Sequence, residues 1–210
     1  MRITLDHPSC FIEGEITITG SKSESNRLLV LKSLFPQILI ENLSNSDDTL
    51  LTNRALKSID SIINIHHAGT AMRFLTAYFA TQQNREVVLT GSQRMQERPI
   101  RLLVDALKYL GAEISYDKKE GYPPLRIKGK KITKSKVALP ADISSQYISA
   151  LILIAPSLEQ GLTIDLIGKL TSAPYVNMTL KILDLLGFDN EFERNQIKIS
   201  TSKPVKPITW

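Results

Sequence analysis

The sequence predicts a globular fold in which helices and strands alternate and one structural unit is repeated. Hydrophobic residues make up 42% of the 210-residue chain and charged residues 22%, as in ordinary folded proteins. Apolar residues recur at every second residue in some segments and at every third or fourth in others, which are the periods of strands and helices. Similar apolar patterns return after about 75 residues, which indicates a duplicated unit.

These periods place both kinds of element along the chain. The strands are expected at residues 2–6, 11–19, 38–41, 62–65, 86–90, 113–116, 125–127, 136–139, 162–166 and 197–200. The helices are expected at residues 22–35, 47–58, 69–81, 99–110, 144–155 and 174–186. Each helix carries apolar residues at a spacing of three and four, such as Leu28, Leu31 and Leu34 in the first helix.

The repeat is clearest in two pairs of helices. Gly111 and Gly187 each follow a Leu-rich helix end, where a left-handed cap favours glycine. The helix over residues 69–81 is similar in apolar pattern to the helix over residues 144–155, at nearly the same offset. A shorter copy fits the first 65 residues. The six helices would then form three two-helix units.

Composition excludes several classes of protein. Cys10 is the only cysteine, so an internal disulfide framework and a Cys-rich zinc site are both excluded. The first residues lack a signal-peptide pattern, and no apolar run approaches the roughly 20 residues of a membrane span. We therefore expect a cytoplasmic protein that does not bind membranes. The net charge of +5 favours anionic ligands, but aromatic and basic residues do not alternate, which argues against a nucleic-acid partner.

Cationic, hydroxyl and small side chains gather at the helix starts. A helix N-terminus has unpaired N–H groups and about half a positive charge, so it favours phosphate or carboxylate ligands. Lys22, Arg27 and Arg98 lie in or beside helix starts. A cation there opposes the helix dipole by roughly a few tenths of a kcal/mol unless an anion is present. Several such helix starts, if they converge, would form a site for a small, multiply charged anion.

Ordinary helix capping explains part of the same pattern. Ser21 and Glu24 fit a capping box, and Pro99 and Pro174 are typical first-turn prolines. Three acidic residues also look like helix-start caps, namely Asp47, Asp48 and Asp142. Capping does not require the cations, so the anion-site hypothesis stands beside the capping interpretation.

Five segments match one known family, in order and over nearly the whole chain. They are residues 20–27 (GSKSESNR), 68–74 (AGTAMRF), 89–100 (LTGSQRMQERPI), 144–150 (SSQYISA) and 172–176 (SAPYV). Together they resemble the 3-phosphoshikimate 1-carboxyvinyltransferases, or EPSP synthases. One such motif alone is a weak signal, whereas five in the expected order are specific.

The resemblance implies an α+β domain built of three βαβαββ units, with helices inside and sheets outside. Residues 1–20 would contribute strands toward an absent C-terminal domain. Residues 21–210 would form the N-terminal domain, on the shikimate-3-phosphate side. Because the family's full chain is about twice as long as this one, the resemblance also implies a missing half as partner, in a monomeric protein.

The resemblance further implies which residues bind the two substrates. Lys22 would contact both of them and act in catalysis. Shikimate-3-phosphate would be held by Lys22, Ser23, Arg27, Ser144, Ser145, Gln146, Ser172 and Tyr175. Phosphoenolpyruvate would be held by Lys22, Gly69, Thr70, Arg98 and Gln146.

The implied reaction transfers the enolpyruvyl group of phosphoenolpyruvate to the 5-hydroxyl of shikimate-3-phosphate and releases phosphate, within aromatic amino acid biosynthesis. It requires protonation of C3, attack at C2 and loss of phosphate from a tetrahedral intermediate. Fixed cations stabilise the charge that develops, so we expect neither a metal nor an organic cofactor. The adjacent His66 and His67 stand at a strand end and point to opposite sides, which argues against a metal site.

Two departures from the family pattern bear on the site. His67 stands where many members have Asn before Ala-Gly-Thr, and Ala173 replaces a commoner Lys. The sequence also offers no credible proton-transfer residue, because the acid and base carboxylates are implied in the missing half. We therefore expect this chain to bind shikimate-3-phosphate weakly and to have negligible turnover.

Two other functions stay open. The UDP-N-acetylglucosamine enolpyruvyl transferases share the architecture, but they usually have Lys-Asn where Lys22 and Ser23 stand, and a reactive loop cysteine, whereas Cys10 lies in an early strand. The second alternative is a non-catalytic anion-binding module or an RNA-end-processing relative. Titration with shikimate-3-phosphate, the nucleotide sugar and RNA would separate these functions.

Overall fold

Three helices lie at the centre of the fold. They are α1 (Lys22–Leu34), α3 (Gly69–Thr81) and α6 (Ser145–Ile154), which pack against one another. Nearly every residue of α3 and α6 is buried, as expected for helices that are largely apolar on all sides. The computed structural model describes residues 4, 11, 13–201 and 208–209.

Three further helices flank this centre and bury one face each. They are α2 (Asp47–Lys57), α5 (Arg101–Leu110) and α7 (Ala173–Leu185). A single-turn helix, α4 (Gln93–Gln96), precedes α5, and a short 3-10 helix (Ala155–Ser157) follows α6. The six long helices were predicted, and each lies within two residues of its expected bounds.

Two four-stranded sheets have the same topology. The first contains β2 (Ile62–Asn64), β3 (Glu86–Thr90), β4 (Glu113–Tyr116) and β5 (Leu125–Lys128), in the spatial order β2-β3-β5-β4. The second contains β6 (Lys136–Pro140), β7 (Leu162–Ile167), β8 (Asn190–Glu193) and β9 (Gln196–Ile199), in the order β6-β7-β9-β8. In both sheets the first two strands are parallel and the remaining pairs are antiparallel. This shared topology confirms the duplicated unit.

A third, smaller sheet completes the arrangement. β1 (Ile38–Leu39) pairs in parallel with β10 (Ile208–Thr209), and β1 lies between α1 and α2 in the chain. The strands of the larger sheets alternate buried and exposed residues; in β3, for example, Val87 and Leu89 are buried. One face of each larger sheet is therefore covered while the other is exposed, so the helices are inside and the sheets outside, as expected.

The predicted strand over residues 11–19 is wrong for the residues described. Residue 11 and residues 13–19 form no strand, and the Ile16 and Ile18 side chains are 85% and 75% exposed. The Asn42 side chain donates to the Ile18 carbonyl, and the Gly20 N–H donates to the Asn42 carbonyl at 2.9 Å. A strand needs a partner strand to pair its backbone, and no described segment pairs with this one. The predicted strand over residues 2–6 lies outside the described residues, except for residue 4, which is in no strand.

Other differences have local causes. β8 was not predicted because Phe192 is its only apolar residue. It is joined to β9 by Arg194 and Asn195, which both have positive φ, as a two-residue hairpin turn requires. α4 and β10 were also not predicted, since both are very short. Pro99 is not a first-turn residue, because α5 begins at Arg101.

The glycine caps and the Ser21 cap are present as predicted. Gly111 and Gly187 have φ values of 114° and 82°, in the left-handed region that glycine favours. The Ser21 hydroxyl accepts a hydrogen bond from the Glu24 N–H at 3.5 Å. In the part of the chain that the structure describes, no helix is both long and apolar enough to cross a membrane.

Candidate functional site

The first turns of α1, α2, α3, α6 and α7 meet at one end of the fold, which we call the N-terminal pole. Lys22 in α1 has its Nζ 3.7 Å from Asp48 Oδ2 in α2. His67, just before α3, has its Nε2 3.6 Å from Asp47 Oδ2. These contacts join the starts of the first three of these helices.

Two hydrogen bonds connect the other starts to the same pole. Gln146 in the first turn of α6 donates from Nε2 to Thr70 Oγ1 in α3, at 3.3 Å. Arg27 in α1 donates from Nη2 to the carbonyl of Tyr175 in α7, at 3.2 Å. The structure therefore brings the motifs that carried the family resemblance to a common place.

Arg27 is the most buried cation of the pole. Its side chain is stacked over the Phe74 ring at 5.4 Å, and the residue is 3% exposed. Nε donates to Thr179 Oγ1 at 2.7 Å, and Nη2 also donates to Ser149 Oγ at 3.3 Å. Nη1 donates to the Ser23 carbonyl at 2.8 Å. The guanidinium is thus fixed by groups from α1, α6 and α7.

All of these partners of Arg27 are neutral. Burial lowers the pKa of the Arg27 guanidinium to about 10, against smaller opposing effects of Tyr175 and Glu24. Among the described residues, no carboxylate forms an ion pair with it. A buried cation without a counter-ion is unfavourable on its own and favours the binding of an anion nearby.

Gly69 and Arg98 are in direct contact. A Cβ atom at Gly69 would lie 2.2 Å from Arg98 Nη1, so the absence of a side chain at Gly69 makes room for the guanidinium. Arg98 follows α4 and lies against the first turn of α3. Its charge is thereby added to the positive end of the α3 dipole.

Arg73 supports this contact from inside the fold. It is 4% exposed and donates to the carbonyls of Gly69 and Pro99 at 3.1 and 3.0 Å. The Tyr147 hydroxyl donates to the same Pro99 carbonyl at 2.6 Å. Burial is the main cause that lowers the pKa of Arg73, and the nearby charge of Arg98 lowers it further. Arg73 therefore ties the start of α3 to the segment that carries Arg98.

Lys22 is half exposed and is held beside Asp48. The Asp48 side chain turns toward Lys22, and its other oxygen, Oδ1, is buried without a hydrogen-bond partner among the described residues. One turn along α1, Asn26 is fully buried, and neither of its amide atoms has a partner in the described part of the chain. The acidic residues are not caps as predicted, because the N-cap of α2 is Ser46 and Asp47 and Asp48 pair with basic residues instead.

The remaining predicted residues lie at the starts of α6 and α7. Ser144 is the exposed N-cap of α6 and accepts from the Gln146 N–H, while Ser145 is 8% exposed. The N-cap of α6 is thus Ser144 and not Asp142. Ser172 precedes α7, and its side chain makes no capping bond. The Tyr175 side chain is 50% exposed.

A cavity opens beside Arg98. It has a volume of about 570 Å³ and is lined by His67, Arg94, Met95 and Arg98. No group of three or more His, Cys, Asp or Glu residues in the described ranges could hold a metal ion. The cations that the pole presents, Lys22, Arg27 and Arg98, are suited to small anions.

Several residues of the pole were not predicted from the sequence. Ser149 and Thr179 position Arg27, and Arg73 positions the Arg98 segment. Ser149 and Arg73 lie inside the motifs quoted above, but a serine or an arginine within an apolar helix gives no sign of its partner. Thr179 lies outside every motif, so its contact with Arg27 depends on how the helices pack.

The fold and the charges define a class of protein. It is an α+β domain built of repeated two-helix units, whose helix starts form a cationic pole. Residues 57–209 match the family model described as EPSP synthase (3-phosphoshikimate 1-carboxyvinyltransferase). This match covers well over half of the chain, so the chain belongs to the EPSP synthase family.

Curated relatives agree with this assignment. A 3-phosphoshikimate 1-carboxyvinyltransferase of Bacteroides fragilis is 43% identical, over 97% of this chain and 50% of the relative. The protein of the same name from Pasteurella multocida is 38% identical, over 92% of this chain and 51% of the relative. The chain thus spans about half the length of the curated relatives it matches.

Solved structures agree on the fold. An EPSP synthase from Acinetobacter baumannii superposes with a TM-score of 0.74 at 21% identity, covering 93% of this chain and 48% of that chain. The enolpyruvyl transferase NikO from Streptomyces tendae superposes with a TM-score of 0.59 at 15% identity, covering 94% and 50%. At these identities the likeness is one of fold.

Proposed function

We propose that this chain is the shikimate-3-phosphate-binding half of an enzyme that transfers the enolpyruvyl group of phosphoenolpyruvate to the 5-hydroxyl of shikimate-3-phosphate, a step of aromatic amino acid biosynthesis. The observation that carries the proposal is the buried guanidinium of Arg27, which the fold fixes at the N-terminal pole with neutral partners only. Such a group is favourable when an anionic, hydroxyl-rich ligand lies beside it.

The predicted contacts divide between the two substrates. Ser144, Ser145 and Ser172 lie at the starts of α6 and α7, where hydroxyl and N–H donors suit the phosphate of shikimate-3-phosphate. Ser23, Arg27 and Tyr175 would complete that subsite. On the other side, Gly69, Thr70 and Arg98 would hold phosphoenolpyruvate. Gln146 would lie between them, because it bonds Thr70 while it belongs to α6.

Lys22 would act on both substrates. In the reaction, C3 of phosphoenolpyruvate gains a proton while the 5-hydroxyl gives up its proton to a base and its oxygen bonds to C2. The C2–O bond to phosphate then breaks as C3 gives up a proton, which restores the C2=C3 double bond. Ammonium and guanidinium groups fixed at the carboxylate and at the departing phosphate stabilise the charge that develops. Holding both substrates in one place also removes a large entropic part of the barrier.

The proton transfers would fall to the other half of the protein. The carboxylates of Asp47 and Asp48 lie at the pole, and both pair with basic side chains there. The exposed apolar side chains of Ile16 and Ile18 favour the proposal that residues 1–20 pack on that other half. The chain alone would therefore bind shikimate-3-phosphate and not turn it over.

Calorimetric titration with shikimate-3-phosphate tests the binding site. Ser144→Ala removes one hydroxyl donor, so we expect its Kd to rise about fivefold to tenfold. Arg27→Lys keeps the charge but loses the fork of donors, so we expect a larger rise. Ser157→Ala is the matched control. Its hydroxyl donates to the Ile154 carbonyl at the C-terminal end of α6, far from the N-terminal pole. Indistinguishable titrations for all four proteins would reject the site.

A second experiment tests the division between the halves. With both substrates present, we expect phosphate release at the rate of the buffer alone. Turnover near that of a whole enzyme would contradict the proposed division. Binding of UDP-N-acetylglucosamine or RNA in place of shikimate-3-phosphate would favour the alternatives. That the protein is monomeric and cytoplasmic stays a prediction, for light scattering and cell fractionation to test.

A further inference from the structure

The cavity beside Arg98 has a basic residue to which the family resemblance assigns no role. Arg94 lines this cavity together with His67, Met95 and Arg98. No acidic side chain of the described residues lines it. The wall of the cavity therefore carries two arginine side chains, Arg94 as well as Arg98.

Arg94 and Arg98 line the same cavity from the two sides of the end of α4. They lie four residues apart, across α4 and its C-cap Glu97, which has helical dihedral angles (φ −95°, ψ −2°). Because both guanidinium groups are positively charged and face one cavity, they repel each other. The arrangement is thus mildly unfavourable unless an anion lies between the two groups.

Neither guanidinium is neutralised by an acidic side chain of the described residues. Within residues 13–201, neither Arg94 nor Arg98 forms a side-chain hydrogen bond or an ion pair. By contrast, Arg101 lies one turn further along and pairs with Glu120. Arg73, buried behind Met95, adds a third positive charge to the same segment.

We propose that Arg94 is a second phosphoryl-binding residue, which with Arg98 forms a two-arginine clamp on the phosphoryl group of phosphoenolpyruvate. The inference rests on the proposed function and adds a residue to its site. Each guanidinium is a planar fork that matches two oxygens. A phosphoryl group has three terminal oxygens and close to two negative charges, so it can satisfy two forks, whereas one fork already occupies both oxygens of a carboxylate.

Arginine footprinting tests the clamp at the level of single residues. The chain is treated with phenylglyoxal, and the rate of modification of each arginine is read by peptide mass spectrometry. With saturating phosphoenolpyruvate, we expect the rates at Arg94 and Arg98 to fall about tenfold and the rate at Arg101 to stay unchanged. Inorganic phosphate should protect the same two residues, whereas sodium chloride at equal ionic strength should not.

Titration of variants with phosphoenolpyruvate gives the second readout. We expect Arg94→Gln to raise the Kd about tenfold, as for the loss of one charge-assisted contact. Arg101→Gln is the matched control, since it removes the same charge outside the cavity and should change the Kd less than twofold.

The outcomes separate the clamp from the proposed function. Protection of Arg98 without Arg94, or an Arg94→Gln protein that binds like the Arg101→Gln control, would overturn the clamp and leave the proposed function standing. Protection of neither arginine would also overturn the clamp. In that case the shikimate-3-phosphate titration still decides the proposed function, because its variants lie in α1 and at the N-cap of α6.

Discussion

The two ends of the inner helices both carry basic side chains but differ in how those charges are paired. At the N-terminal pole, Arg27, Arg94 and Arg98 have no carboxylate partner among the described residues. At the opposite end, which we call the C-terminal pole, residues 128–134 pass the ends of α1, α3 and α6. There Lys130 pairs with Glu113, and the Nζ atom of Lys131 lies 2.6 Å from Oε1 of Glu159.

The helix dipole explains this difference. Cations at a helix C-terminus are favourable, so the lysines of the C-terminal pole stabilise the free protein. Cations at a helix N-terminus are unfavourable, so the arginines of the N-terminal pole, unlike Lys22 beside Asp48, would be stabilised by an external anion. The net charge of +5 does not show this difference, because it counts the charges and does not say which of them are paired.

The first prediction concerns how the fold holds the N-terminal pole. Thr179→Val should lower the free energy of unfolding by about 2–3 kcal/mol, because it removes a buried acceptor from the charged Arg27 Nε. Thr81→Val is the control at the C-terminal pole, where the hydroxyl bonds a neutral carbonyl and the cost should be about 1 kcal/mol or less. Urea unfolding measures both, and equal costs would contradict the special position of Arg27.

The second prediction places the same substitution at each pole. Gly129→Ala puts a Cβ 1.8 Å from the Gln82 carbonyl oxygen at the end of α3, so we expect a loss of about 1–2 kcal/mol of stability. Gly69→Ala instead meets the mobile end of the Arg98 side chain, which can move away. It should leave stability nearly unchanged and raise the Kd for phosphoenolpyruvate about tenfold.

Thermal unfolding and titration of both glycine variants provide the readout. Each variant is the control of the other, because one should change stability alone and the other binding alone. A loss of stability in Gly69→Ala as large as in Gly129→Ala would show that the start of α3 is built for packing rather than for Arg98.

The third prediction is that removing one positive charge at each pole changes the free energy of unfolding in opposite directions. Arg98→Gln removes a positive charge from the start of α3 and from beside Arg73, so it should stabilise the free chain by about 0.3–0.5 kcal/mol. Lys131→Gln removes a partly exposed ion pair and should destabilise it by up to about 0.5 kcal/mol. Denaturant unfolding at low salt measures both, and the difference should shrink at 1 M salt, where charges are screened. The same sign for both variants would be inconsistent with the dipole argument.

The smallest expected effect is on acid stability at the C-terminal pole. Hydrogen bonds from Lys130 and Lys128 lower the pKa of the exposed Glu113 carboxyl. A lowered pKa means that this contribution is present above the usual carboxyl range and is lost as the pH falls through the lowered value. Lys130→Gln should therefore raise the pKa of Glu113 toward its ordinary value, as measured by NMR titration. An unchanged pKa would show that Lys128 alone sets it.

The sequence predicted best those helices and strands whose sequence signals lie within the element itself. The inner helix α3 has its predicted bounds because its apolar pattern and the glycine at its start lie within the helix itself. The strand over residues 11–19 failed because a strand depends on a partner elsewhere in the chain. β8 was not predicted because backbone pairing with β9 holds it in place, and Phe192 is its single apolar side chain.

The same distinction between local and long-range signals applies to the residues of the candidate site. Motifs predicted Lys22, Arg27, Gly69, Arg98 and Ser144 as site residues, since residue identity and spacing are read directly from the sequence. They did not identify Thr179 as the partner of Arg27, because the two are far apart in sequence and meet only when α1 packs against α7.

The amino-acid order by itself determined the repeated two-helix unit, the helix starts and the types of charge placed on them, because periodicity and capping act within a few residues. Only the tertiary structure decided which charges are neutralised. The energy of an ion pair depends on the distance between groups that distant segments carry. The packing of the helices brings Glu113 and Glu159 to the lysines of one pole and leaves the arginines of the other without a carboxylate partner among the described residues.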